Sequence, residues 1–183
     1  MRPYKLLDEG KVINESNIAN FDFSILKDAV GVYISSLGAM GRGGLVYVIT
    51  SSGEEILFDY FSYYKEENTV YLKASPVWGI LQEYLPMVCN ELNGEPKGWQ
   101  LVSSQAGWFL YVRKDYVRKF HKTCKEYVKT SETYKDILQR KWQLQEVLNE
   151  FVIPHNGPEI LLHIIKSKSL VKKIVITKRS NKY

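Results

Sequence analysis

The sequence has few cysteines, no long apolar run and no recognisable targeting segment. Its 183 residues include only Cys89 and Cys124, which are too few for a disulfide framework. We interpret both as buried thiols in a reducing compartment, so a cytoplasmic location is the default expectation. No apolar run approaches the roughly 20 residues of a membrane-spanning helix, and the N-terminus lacks the apolar segment of a secretory signal.

The common catalytic motifs HExxH, CxxC and GxSxG are also missing. His121 and Cys124 lie three residues apart on a predicted helix, a spacing that suits a reactive thiol or two zinc ligands. No second pair completes a metal site, so a packed thiol beside a solvated histidine is favoured. The sequence predicts no catalytic residue, no cofactor and no metal site. An enzyme whose site gathers distant residues such as Asp59, His121 and Tyr111 stays open as a third hypothesis.

Four glycines surround Arg42 in the segment 38–44, which has the look of a phosphate-binding loop. Such a loop delivers backbone amides onto the N-terminus of a helix, and its glycines follow a fixed spacing. Here the spacing matches neither the Walker nor the dinucleotide pattern, and the next residues, 45–50, are typical of a strand. A flexible connector is therefore favoured over an anion-binding nest.

Strand patterns dominate the first two thirds of the chain. Residues 45–50, 55–64 and 69–74 are rich in β-branched and aromatic residues and are separated by short polar turns, which predicts a three-stranded meander. A second hairpin is predicted from 99–104 and 108–114. Residues 21–37 are ambiguous, and a helix is favoured over their first half. A helix is also predicted after Ser75-Pro76, with a kink or an end at Pro86.

Helical patterns dominate the last third. A single helix over 115–151 would be about 55 Å long, which is too long for a domain of this size, so we predict a helical pair divided at Thr130-Ser131. Pro154 to Pro158 is predicted to break the chain, followed by a helix over 159–166 and a strand over 170–177. The predicted fold class is α+β, with a mostly antiparallel sheet packed against several helices. We expect a main domain at 1–153 and a basic helix–strand segment at 154–183 packed on it.

Positive charge is concentrated in two short segments of a chain whose net charge is +5. Residues 113–129 carry seven basic and two acidic side chains, and residues 166–183 carry seven basic and none acidic. Residues 1–112 have a net charge of −5. If the two segments converge in space, they imply an anionic partner, and otherwise they are ordinary solvated faces. Lysine outnumbers arginine in both segments, which favours diffuse contact over base reading.

Tyrosine is abundant, and several tyrosines fall on the predicted meander. Core packing is the favoured role for them, with a partner surface or a stacking platform for bases as alternatives. Together with the cations, three of them form the predicted partner-binding set: Arg113, Arg118, Lys119, Lys122, Lys125, Lys129, Lys172, Lys173, Lys178, Arg179, Tyr60, Tyr63 and Tyr64.

The leading hypothesis is a non-enzymatic interaction protein that binds another protein, such as an immunity or inhibitor protein. Proteins of that kind need shape, charge and aromatic side chains, but no catalytic cluster. The alternative is a nucleic-acid-binding protein that uses the basic helix 113–129 and the segment 166–182.

Overall fold

The fold is known from a computed structural model. It describes residues 11–13, 18–35, 45–59, 61–66, 69–74, 76–90, 95–105 and 107–180. Within these ranges only the backbone is described for 11, 59, 61–66, 69–74, 76–78, 89–90 and 168–180. The glycine-rich segment 38–44 lies outside the described residues.

The described residues form eight strands, six α-helices and three short helices of other types. The strands are β1 (Lys11–Ile13), β2 (Ala29–Ser35), β3 (Leu45–Thr50), β4 (Glu55–Asp59), β5 (Phe61–Glu66), β6 (Thr69–Ala74), β7 (Trp99–Gln105) and β8 (Trp108–Arg113). The α-helices are α1 (Pro76–Tyr84), α2 (Met87–Asn90), α3 (Lys114–Thr130), α4 (Glu132–Gln139), α5 (Leu144–Val147) and α6 (Ile153–Ser180). Ile18–Asn20 and Phe23–Asp28 are 3₁₀-helices, and Leu148–Val152 is a π-helical turn.

The predicted α+β class is confirmed. Six strands form one sheet in the order β1-β4-β3-β2-β8-β7, and β5 and β6 pair separately. The large sheet is mixed, because β1 runs parallel to β4 while its other neighbouring strands are antiparallel.

The predicted meander is divided between the two sheets. β3 and β4 pair in the large sheet, whereas the third predicted strand, β6, pairs with β5 in the small one. The run 55–64 therefore supplies two strands, and continuous β propensity did not reveal the division. The hairpin of β7 and β8 is confirmed.

The central strands β2 and β3 are almost entirely apolar because both faces of the sheet are covered. Along β3, Val46 and Val48 belong to one buried cluster, and Tyr47 and Ile49 belong to the other. The first 3₁₀-helices with α1 and α2 cover one face, and α3, α5 and α6 cover the opposite face. Strands buried on both sides lose the alternation of polar and apolar residues, which explains the unbroken run at 45–50.

Two local predictions about helix ends are confirmed. Ser131 is the N-cap of α4, and its side chain accepts a hydrogen bond from the amide of Tyr134 at 3.5 Å. The helix that follows Ser75-Pro76 ends at Tyr84, immediately before Leu85 and Pro86. In the ambiguous region 21–37, the helical part is the 3₁₀-helix Phe23–Asp28, and the rest is β2.

The prediction of a chain break at Pro154 to Pro158 is wrong, since these residues lie inside α6. Pro158 has no N–H to bond the carbonyl of Pro154, but the hydroxyl of Tyr33 donates to that oxygen at 3.4 Å. Gly157 is a packing position: a Cβ there would lie 2.7 Å from Leu110 Cδ2 and 3.5 Å from Phe120 Cζ. The helix is held by these tertiary contacts against the tendency of its residues to break it.

The predicted strand over 170–177 is also wrong, because the backbone of α6 is helical as far as Ser180. At about 1.5 Å per residue, this 28-residue helix is about 42 Å long. The β-branched residues in 170–177 favour a strand, but this segment continues the helix whose first half packs into the core. Whether 154–183 should be regarded as a separate segment stays a prediction.

Candidate partner-binding surface

Helix α3 has one buried side and one strongly basic side. Val117, Phe120, Cys124 and Val128 are at most 9% exposed and pack into the core, which fixes the rotation of the helix. Five predicted site residues are exposed on the same helix, and we call them the basic face: Arg118, Lys119, Lys122, Lys125 and Lys129.

The cations of the basic face are aligned. At 100° per residue, Arg118, Lys122, Lys125 and Lys129 fall within an arc of about 60°, while Lys119 lies on the flank. Their positions extend over about 17 Å of helix axis at 1.5 Å per residue. Arg113 forms an ion pair with Asp115, whereas no described carboxylate pairs with the residues of the basic face. The face therefore presents its charge to solvent.

Arg113 differs from the other predicted cations because its guanidinium is already engaged. Its Nε and Nη2 donate to Asp115 at 2.8 and 3.0 Å, and Nη1 donates to the carbonyl of Ala29 at 3.4 Å. The hydrogen bonds to Asp115 raise the pKa of Arg113. The guanidinium also lies 5.2 Å from the ring centre of Tyr116. Arg113 connects the end of β8 to the first turn of α3.

The structure does not describe the side chains of the remaining predicted site residues. Lys172, Lys173, Lys178 and Arg179 are placed on the backbone of α6, and the convergence of their charge with the basic face stays a hypothesis. Tyr63 and Tyr64 are placed on the backbone of β5. Tyr60 lies outside the described residues.

His121 and Cys124 do not form a reactive pair. Cys124 is fully buried, and burial raises the pKa of its thiol to about 12, so the thiolate needed for nucleophilic attack is scarce at neutral pH. Burial and the neighbouring Lys125 lower the pKa of the half-buried His121. Cys124 is thus a packed thiol, as predicted, while the side chain of Cys89 is not described.

The distant set of Asp59, His121 and Tyr111 is not brought together. Tyr111 is fully buried in the cluster under α1 and α2, whereas its neighbours Leu110 and Val112 face α3 and α6. Because strand side chains alternate, Tyr111 and the α3 residue His121 lie on opposite sides of the sheet. The side chain of Asp59 is not described. In the described part of the chain, no group of three or more His, Cys, Asp or Glu side chains could hold a metal ion.

A groove that the sequence did not reveal lies between α3 and α6, and we call it the α3–α6 groove. It has a volume of about 430 Å³, and its lining comes from two helices: Thr123, Glu126, Tyr127, Thr130, Asn156, Glu159, Ile160 and His163. On each helix these residues recur at intervals of three, four and seven, the spacing of one helical face. That pattern is present in the sequence, but the predicted break at 154–158 excluded a continuous helix that could pack against α3.

Tyr134 stands at one end of this groove. Its hydroxyl donates to Asn156 Oδ1 at 2.5 Å, and its ring centre lies 5.8 Å from that of Tyr127. Burial, together with Tyr127 and Glu159, raises the pKa of Tyr134. The carboxylate of Glu159 is therefore close enough to act electrostatically on the hydroxyl of Tyr134.

Comparisons with protein-family models, with curated proteins and with solved structures found no match to the chain. Within the described residues, no helix is both long and apolar enough to cross a lipid bilayer.

Proposed function

We propose that this chain is a non-enzymatic interaction protein, of the immunity or inhibitor kind, that binds another protein through the basic face of α3. The observation that carries the proposal is the row of four aligned, exposed cations with no described carboxylate partner. Such a row accelerates encounter with an acidic surface and sets the orientation of docking.

The neighbourhood of the basic face favours a protein partner over a nucleic acid. Glu126 follows Lys125 on α3 and lines the α3–α6 groove together with Glu159, so carboxylates lie directly beside the cations. A nucleic-acid backbone presents charge of one sign only, and these carboxylates would repel it. A protein surface can present both signs and complement the whole region.

The alternative is a nucleic-acid-binding protein that uses 113–129 and 166–182. It is supported by the seven basic residues that follow residue 165, several of which lie on α6. Binding of this kind weakens steeply as salt is raised, because each neutralised phosphate releases counterions.

Affinity capture with a matched pair of variants tests the proposal. The α3 variant carries Lys122→Gln, Lys125→Gln and Lys129→Gln. The control variant removes three exposed lysines elsewhere, with Lys27→Gln, Lys97→Gln and Lys135→Gln. Lysate from the cells that make the protein is used with and without nuclease treatment, and the proteins retained in each case are identified by mass spectrometry.

We expect one acidic protein to be retained by the wild type and the control variant and lost from the α3 variant. Equal retention by all three proteins would exclude the basic face as the binding site. Retention that disappears on nuclease treatment would favour the nucleic-acid alternative instead.

A further inference from the structure

We propose that the α3–α6 groove is a pocket for an arginine side chain of the partner protein. The inference deepens the proposed function, because it names the group that the partner inserts beside the basic face. The volume of the groove, about 430 Å³, lies within the range of small-ligand pockets, about 300–1,000 Å³.

The charge of the groove selects a cation. Glu126 and Glu159 line it from opposite helices, and neither lysine nor arginine is among the lining residues. Both helices that line the groove are rich in lysine and arginine, so this negative site is a local exception to the surrounding charge. An arginine that enters it gains two carboxylate partners and passes no lining lysine or arginine.

The hydrogen-bonding capacity of the groove also selects a donor-rich group. Thr123 and Thr130 use their hydroxyl protons on the backbone carbonyls of Lys119 and Tyr127, at 2.8 and 3.1 Å. Their oxygens therefore offer lone pairs to a ligand. A guanidinium carries five N–H donors and no acceptor, which complements threonine oxygens and carboxylates together.

The aromatic side of the groove suits the flat shape of a guanidinium. Tyr127 is 36% exposed and lines the groove, and its ring packs at 58° to that of Tyr134. A guanidinium stacks on an aromatic face more readily than an ammonium does. Ile160 is buried beneath the groove and offers an apolar contact to the methylenes of an arginine stem.

The test uses two short peptides, acetyl-Gly-Arg-Gly-amide and its citrulline analogue, which has the same shape without the charge. Each is titrated into the isotopically labelled full chain at 150 mM salt, and amide shifts are followed by NMR. We expect the arginine peptide to give saturable shifts centred on Thr123, Tyr127 and Asn156, with a dissociation constant in the millimolar range. The citrulline peptide should bind at least tenfold more weakly.

Variants identify the site. Glu159→Gln and Glu126→Gln should each weaken the arginine peptide at least fivefold, whereas Glu150→Gln, an exposed glutamate outside the groove, should change it less than twofold. Equal binding of the two peptides, absence of saturation at the groove, or an unchanged affinity in both groove variants would overturn the inference.

The same titration separates this inference from the proposed function. The α3 variant with Lys122→Gln, Lys125→Gln and Lys129→Gln should retain the arginine peptide. If the peptide fails to bind the wild type while capture of an acidic protein still depends on the basic face, the groove inference alone is wrong. A free guanidinium compound such as agmatine that binds at least tenfold more tightly than the peptide would instead overturn a protein side chain as the occupant.

Discussion

The hydroxyl of Tyr33 donates to the carbonyl oxygen of Pro154, the acceptor that Pro158 leaves without its helical partner. This bond joins β2 to the first turn of α6, 121 residues further along the chain. It lies in the buried core, where an unsatisfied carbonyl is costly. Residues that break helices in isolation are thus accommodated in α6 by a donor from the sheet.

Removal of this hydroxyl should destabilise the protein in a way that depends on Pro158. Tyr33→Phe keeps the ring stacked on Trp108, with centroids 4.7 Å apart, but leaves the carbonyl unsatisfied, at a cost of about 1–2 kcal/mol. In a Pro158→Ala background an amide is available to the carbonyl, so Tyr33→Phe should cost less than half as much. Urea unfolding of the four proteins of this cycle measures the coupling. Tyr84→Phe, in the opposite cluster, serves as the additive control, and an additive Tyr33 cycle would contradict the explanation.

The close approach of β2 and α6 at Gly31 should not tolerate a side chain. A Cβ at Gly31 would collide with the side chain of Leu161, which is fully buried. We expect Gly31→Ala to lower the free energy of unfolding by about 1–3 kcal/mol through overpacking. In combination with Leu161→Ala the new methyl fills part of the space left, so the two losses should sum to less than additive. Gly79→Ala, where a Cβ meets nothing within 4 Å, is the matched control, and a similar loss there would refute the steric account.

Cys124 should be chemically silent in the folded protein. Burial raises the pKa of its thiol to about 12, and the side chain has no exposed surface. In a Cys89→Ser background, a disulfide reagent at pH 8 should modify Cys124 at least about a hundredfold more slowly than in 6 M guanidinium, because thiolate and access are both required. Equal rates in the two conditions would show that the thiol is reachable in the folded state.

Stability should fall in mild acid partly because of His121. Burial, and to a smaller extent the charge of Lys125, lower the pKa of His121 below its ordinary value of 6.5. Between the folded and the unfolded pKa, the unfolded chain therefore binds more protons than the folded one. The free energy of unfolding therefore rises with pH through that window, and the contribution of the neutral imidazole is lost as the pH falls towards the folded pKa. His121→Gln should flatten the profile between pH 7 and pH 5, measured by urea unfolding. A steeper profile in the variant would reverse the sign that we assign.

Local sequence patterns predicted those elements whose ends depend on neighbouring residues. The hairpin of β7 and β8 follows from its turn, and the division at Ser131 follows from capping chemistry. The division of the run 55–64 into two strands of different sheets could not be predicted, because β propensity does not determine which strands pair with each other.

The course of the C-terminal region could not be predicted because tertiary contacts decide it. Pro154 and Pro158 favour a break, and only the position of Tyr33 in space, together with the packing of Gly157 on Leu110, explains the continuous helix. The basic face was readable from the charges and apolar spacing of α3, since one helix carries it. The α3–α6 groove could not be predicted, because it is formed by two helices and no local sequence pattern indicates that they are in contact.

The most direct test of the proposed function is calorimetric titration of the captured partner, once purified, into the wild type, the α3 variant and the control variant at 150 mM salt. The row of cations on α3 predicts that Lys122→Gln, Lys125→Gln and Lys129→Gln together weaken binding by about tenfold or more. The control with Lys27→Gln, Lys97→Gln and Lys135→Gln has the same net charge and should bind within twofold of the wild type. Equal affinity of the two variants would show that net charge, and not the basic face of α3, brings the partner to this protein.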